Sequence, residues 1–127
     1  LALGRYVDDI RAEGDYAMLA VVNAARPLTE TPDDAVEVLR EIEAACHLPF
    51  TGIVNNTNLG PATTAQTVLD SLPYADAVAR RMGLPVAFTC CRADLRDALR
   101  AHPAFASGAA PLFPLTIQKL YYQLEAD

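Results

Sequence analysis

The sequence alternates between segments whose apolar residues recur with a helical period and short runs that are continuously apolar. The helical patterns occupy residues 3–12, 32–46, 64–82 and 115–125, with a shorter charged one after Cys91, and the apolar runs occupy 16–22, 50–55 and 84–89. Continuous apolar runs of this length are typical of strands buried on both faces of a parallel sheet. Strands that alternate with helices form such sheets through right-handed crossovers. We therefore predict a single α/β domain, with a three-layer, mostly parallel sheet and helices on both faces.

Prolines and capping residues predict where the helices begin and end. Thr31 can cap a helix that starts at Pro32, because proline suits the first helical position. Pro73 interrupts the pattern of 64–82, since an interior proline removes a backbone donor and clashes with the preceding turn. We expect two helices there, the second running from Ser71 to Met82. Three prolines and one glycine within residues 102–114 predict irregular structure.

The helical periods also predict which side chains face the core. In the segment 32–46 the expected apolar stripe is Ala35, Leu39, Ile42 and Cys46. In the charged segment after Cys91 the expected inward residues are Leu95, Ala98 and Leu99.

Charge and cysteine content narrow the classes of partner and compartment. The formal net charge is -6 and the basic residues form no stripe, which argues against nucleic acid and anionic membranes as partners. No apolar run approaches the roughly 20 residues of a membrane-spanning helix. The odd number of cysteines, with Cys90 and Cys91 adjacent, is a poor disulfide framework, so we expect a reducing, cytoplasmic environment.

Ligands of parallel α/β sheets bind beyond the carboxyl ends of the strands, which directs attention to the loops that open at Asn23, Asn55 and Cys90. In the first loop, Arg26 can hold a phosphate or carboxylate, or it can be a solvated residue that pairs with a helix acid. In the second, Asn55 and Asn56 offer amides that complement the N6 and N7 edge of adenine. The alternative for these asparagines is turn formation, because Asn bonds its own backbone and tolerates left-handed conformations.

The cysteines and histidines suggest a third kind of site less strongly. Cys46-His47, Cys90-Cys91 and His102 lack the paired spacing of structural zinc ligands, so buried, inert thiols are the favoured interpretation. No glycine fits a phosphate-binding loop or a dinucleotide fingerprint, and Lys119 is the only lysine. The chain therefore shows no catalytic constellation of its own.

Three segments carry a resemblance to a known family: 4–6 (GRY), 15–29 (DYAMLAVVNAARPLT) and 51–57 (TGIVNNT). They resemble the C-terminal half of a bacterial family of uncharacterised ATP-binding proteins within the MinD/ParA/CobQ-type P-loop ATPases. The resemblance implies a partial P-loop, Rossmann-like fold in which Asn56 reads the adenine of ATP or ADP. It also implies that the loop containing Cys91 and Arg92 wraps the base.

In that family the N-terminal half supplies the phosphate loop, the magnesium-binding carboxylate and the switch residues. The resemblance thus implies that residues 1–127 bind the adenine side of a nucleotide, that the missing half carries Mg²⁺, and that this chain alone does not hydrolyse ATP. An ATPase would require the missing half as a partner. An exposed sheet edge also invites homodimer formation. The alternative function is a non-catalytic interaction or dimerisation module that binds no nucleotide.

Overall fold

The computed structural model describes residues 16–106 and 111–115. They contain four parallel strands that form one sheet in chain order: β1 (Leu19–Val22), β2 (Gly52–Asn55), β3 (Val86–Arg92) and β4 (Leu112–Leu115). The helices are α1 (Pro32–Cys46), α2 (Ala65–Met82), α3 (Arg96–Arg100) and α4 (Pro103–Ala106), with short 3-10 turns at Pro27–Thr29, Gly60–Ala62 and Ala93–Leu95. The prediction of an α/β fold with a parallel sheet is confirmed.

Each of the three crossovers contributes a helix to the same face of the sheet, and these helices are α1, α2 and α3. Side chains from α1 and α2 share one apolar cluster with Ala20, Val22 and Ile53 of β1 and β2. The helix α3 joins that side through Leu99, which packs with a residue of α2 and with β3. This is the expected result when the strand order equals the chain order, because right-handed crossovers then all pass over one face. Helices on both faces, as predicted, are not seen among residues 16–106 and 111–115.

The first strand departs from its prediction because no described helix covers one face of the sheet. Its residues alternate, with Ala20 and Val22 buried but Leu19 and Val21 exposed by 41% and 61%. Residues 16–22 were expected to be buried on both faces, and that expectation is wrong for β1. By contrast, all four residues of β2 are buried, as expected for a strand with neighbours on both sides.

The first helix begins where its sequence predicted. Thr31 Oγ1 accepts a hydrogen bond of 3.1 Å from the Asp34 N–H, and Pro32 occupies the first turn. The helix ends at His47, whose φ of 59° gives the left-handed conformation common after a last turn. The predicted apolar stripe is only partly correct, because Ile42 is 37% exposed.

The second helix is continuous through Pro73, so the prediction of two pieces is wrong. Proline removes a single hydrogen bond, whereas buried side chains hold the helix to the core on both sides of it. Val68 and Ser71 are buried before Pro73, and Tyr74 and Val78 are buried after it. Packing therefore overrides the local preference for a break, and Gly83 ends the helix at a φ of 69°.

The region after β2 differs most from prediction. The third strand reaches Arg92, so Cys90 and Cys91 belong to the strand and do not open a loop. Residues 102–114 were expected to be irregular but include α4 and β4. The strand β4 pairs only with β3 in the described sheet, and a proline such as Pro114 is tolerated at an edge. Ala98, expected to face inward, is exposed.

The predicted helix at residues 3–12 lies outside the described residues, and so does the one at 115–125 except for Leu115, which ends β4 and is not helical. No helix in the described part of the chain is long and apolar enough to cross a membrane.

Candidate functional site

The carboxyl ends of β2 and β3 lie side by side, with Asn55 paired to Thr89 in register. Beyond them is a cavity of about 260 Å³. Its walls come from residues of the segment 56–63, from Val68 of α2, from residues 90–92 of β3 and from Leu115 of β4. The loop after β2 and the end of β3 therefore meet at one site.

The side chain of Asn55 belongs to a buried hydrogen-bond network and does not line the cavity. Its side chain is fully buried and uses both ends of its amide. Its Nδ2 donates to Ser71 Oγ at 2.8 Å, and its Oδ1 accepts from the Thr57 N–H at 3.2 Å and from Thr57 Oγ1 at 2.8 Å. Thr57 Oγ1 also accepts from the Ala24 N–H at 3.0 Å, which ties the loop after β1 to this network. The structure does not favour the predicted role of Asn55 as a direct base contact, because both polar atoms of its buried amide already have protein partners.

Asn56 is different, although it is the next residue. Its backbone is fixed, since its N–H donates to Val22 O and its carbonyl accepts from Asn58 Nδ2. Its side chain is partly exposed, lines the cavity and makes no hydrogen bond to the described residues. The side-chain amide of Asn56, on a hydrogen-bonded backbone, thus offers one donor group and one acceptor to a molecule in the cavity.

The segment 57–63 forms an internally bonded turn over the cavity. Asn58 Oδ1 accepts from the Gly60 N–H, and Gly60 adopts a φ of 62°, which glycine permits without strain. Thr63 Oγ1 accepts from the Leu59 N–H at 2.8 Å and donates to Gly60 O at 2.7 Å. Asn58 therefore serves turn formation.

Arg92 joins this turn to the end of β3. Its Nε and Nη2 donate to the two carboxylate oxygens of Asp94 at 3.0 and 2.9 Å, and its Nη1 donates to Pro61 O at 3.0 Å. The pairing raises the pKa of Arg92 and lowers the pKa of Asp94, mainly through their side-chain hydrogen bonds. Each guanidinium nitrogen already has a protein partner, so Arg92 acts on the shape of the cavity.

The two adjacent cysteines do not form a chelating pair. Neighbouring residues of a strand point to opposite faces, and Cys91 packs with Val68 and Leu99 on the helical side. Burial is the main cause that raises the pKa of both thiols, so they are protonated at neutral pH. Among the residues that the structure describes, no group of three or more His, Cys, Asp or Glu side chains is placed to hold a metal ion. These observations favour the inert interpretation of the cysteines.

Arg26 lies apart from the cavity of Asn56. It is exposed on the loop after β1, where its backbone bonds Asn23 and Thr29. A second cavity of about 360 Å³ shares Thr57 with the first and runs beside Ala24 and Ala25, but Arg26 lines neither. The structure thus brings Asn56, Cys91 and Arg92 together and leaves Arg26 outside the group.

Sequence reasoning missed Thr57 and the pairing of Arg92 with Pro61. Thr57 connects three segments, but a threonine in an Asn-rich loop gives no signal beyond turn formation. The Arg92–Asp94 spacing of two residues was visible in the sequence. The contact with Pro61, 31 residues away, depends on the register of β2 and β3.

Comparisons with protein-family models, curated proteins and solved structures found no match to this chain. The resemblance to MinD/ParA-type ATPases therefore stays a prediction from sequence motifs. A parallel α/β sheet serves many unrelated functions, so the function has to be argued from the chemistry of the cavity.

Proposed function

We propose that this chain binds the adenine ring of a nucleotide in the cavity between the segment 56–63 and the end of β3. The observation that carries the proposal is the amide of Asn56, which makes no hydrogen bond to the described residues and is held at the carboxyl edge of a parallel sheet by a fixed backbone. This edge is where ligands of such sheets bind. The MinD/ParA-like resemblance assigns the same residue to the base and places phosphate chemistry in another half of the protein.

The chemistry of the cavity suits a planar, neutral ring. An asparagine amide can donate to adenine N7 and accept from its N6 amino group. Val68, Cys91 and Leu115 provide apolar surface beside that amide. The cavity volume of about 260 Å³ is just below the about 300 Å³ at which small-molecule pockets begin, which suits one ring system.

Calorimetric titration of the purified chain with ATP and with ITP tests the proposal. The two ligands carry the same phosphates, but hypoxanthine replaces the N6 amino donor with a carbonyl oxygen. We expect ATP to bind more tightly than ITP. Asn56→Ala should weaken ATP binding by about tenfold, the effect of losing roughly 1.4 kcal/mol of hydrogen bonding.

Gln66→Ala is the matched control, because it removes an exposed amide that lies outside this cavity and bonds Asp70. It should leave both affinities unchanged. Equal binding of ATP and ITP by the unmodified chain, or the same ATP affinity in Asn56→Ala, would refute base reading by Asn56.

One observation favours the alternative, a dimerisation module. Leu19 and Val21 of β1 are exposed, and so are Phe113 and Leu115 of β4, at 52% and 41%. These apolar side chains lie on the sheet face that no described helix covers, and a second copy of the chain could bury them. Sedimentation velocity over a range of concentrations tests the dimerisation form of the alternative, since a monomer at every concentration would remove it.

A further inference from the structure

The cavity contains a charged side chain that is already paired with a carboxylate. Arg92 is its only charged lining residue among those described, and Asp94 holds that guanidinium in a bidentate pair. Phosphate and carboxylate ligands need an uncompensated cation or a set of free N–H donors. The described lining of the cavity therefore offers an anion no uncompensated cation.

Arg92 also connects two parts of the cavity wall. Its third contact, from Nη1 to Pro61 O, crosses from the end of β3 to the turn that covers the cavity. The Arg92 side chain is 25% exposed and that of Asp94 is 65% exposed, so the pair lies at the rim. Loss of this contact would release the turn on the side away from Asn56.

We propose that Arg92 is a positioning residue that fastens the segment 57–63 across the cavity, and that its pairing with Asp94 makes the cavity select an uncharged heterocycle over an anion. This inference rests on the proposed function, and it specifies the ligand class as the nucleoside part alone. The phosphates of a bound nucleotide then contribute nothing to affinity in this chain.

The first experiment compares adenosine and ATP by calorimetric titration. In the unmodified chain the two dissociation constants should agree within about threefold, because no free cation meets the phosphates. Asp94→Asn keeps the size of the side chain but leaves the charge of Arg92 uncompensated. The preference for ATP over adenosine should then rise by about fivefold, the effect of one exposed charge contact. A merely structural role of Asp94 would weaken both ligands equally.

Asp97→Asn is the matched control, because Asp97 is exposed on α3 nearby and lines none of this cavity. It makes the same change of charge and should leave the ratio of the two affinities unchanged. An unmodified chain that binds ATP at least tenfold more tightly than adenosine would overturn the inference. An unchanged ratio in Asp94→Asn would overturn it as well.

Amide hydrogen exchange tests the fastening without any ligand. In Arg92→Gln the amide hydrogens of Leu59 and Gly60 should exchange about fivefold faster. The reason is that opening of the turn no longer has to break the hydrogen bond from Arg92 to Pro61 O. Arg100→Gln, an exposed substitution on α3, should leave these rates unchanged. If neither nucleoside nor nucleotide binds, the proposed function fails and the ligand class with it. Unchanged exchange in Arg92→Gln would refute the positioning role by itself.

Discussion

The most exacting test of the site's construction is removal of the buried amide of Asn55. Asn55→Ala deletes three hydrogen bonds, one to Ser71 and two from Thr57. The Thr57 N–H then loses its acceptor in a residue that is only 6% exposed. Ser71 Oγ keeps its bond to Val68 O, and Thr57 Oγ1 keeps its bond from Ala24, so the loss is confined to the three contacts.

The expected magnitude follows from these contacts. At about 1 kcal/mol of net stability for each hydrogen bond, Asn55→Ala should lower the free energy of unfolding by about 3 kcal/mol. A chain of 127 residues has a total stability on the order of 6–19 kcal/mol. The substitution therefore removes a large fraction of the stability of the fold, and with a slope of about 1.5 kcal/mol per molar urea the midpoint should fall by about 2 M.

Urea unfolding monitored by circular dichroism and by tyrosine fluorescence measures this change. Asn56→Ala is the matched control, because the adjacent side chain makes no hydrogen bond to the described residues, and its effect should stay within about 0.5 kcal/mol. A double-mutant cycle with Ser71→Ala should give a coupling of about 1 kcal/mol between Asn55 and Ser71. Asn55→Ala with the stability of the unmodified chain, or a larger loss in Asn56→Ala, would refute the assignment of structural and binding roles to the two asparagines.

Two further predictions concern the rest of the fold. Thr31→Ala should lower the free energy of unfolding by about 1 kcal/mol through loss of the cap of α1, while Thr31→Ser should retain it, as measured by urea unfolding. Burial raises the pKa of Cys90 and Cys91, so the unfolded chain loses these protons first. Below the pKa of an unfolded thiol, about 8.5, both states keep these protons and the free energy of unfolding is at its full value. It declines as the pH rises above that pKa. In the Cys90→Ala, Cys91→Ala double variant the urea midpoint should decline less above this pH than in the unmodified chain. The same pH profile in both proteins would contradict the prediction.

The sequence was sufficient for the features that depend on local pattern. Continuous apolar runs predicted the strands β1 to β3, and Thr31 with Pro32 predicted the start of α1. The failures occurred where tertiary contacts outweigh local preference. Pro73 does not break α2, because buried residues on both sides fix the helix to the sheet. The strand β4 contains a proline that would argue against a central strand but is compatible with an edge.

In the candidate site, too, some features follow from the sequence pattern and others depend on tertiary contacts. The order of the strands is the cause. Because β2 and β3 are neighbours, the loops that follow them meet, and Asn56 and Arg92 line one cavity. Thr57, which bonds Ala24, connects the loop after β1 to them, whereas Arg26 lies outside the cavity although all three loops lie at the same edge. Sequence pattern could place all three loops at that edge, but it could not assign Asn55 to the core and Asn56 to the cavity. That choice depends on Ser71, 16 residues later on α2, which meets the amide of Asn55. At this strand end, the helix that follows therefore decides which of the two asparagines is left as a ligand candidate.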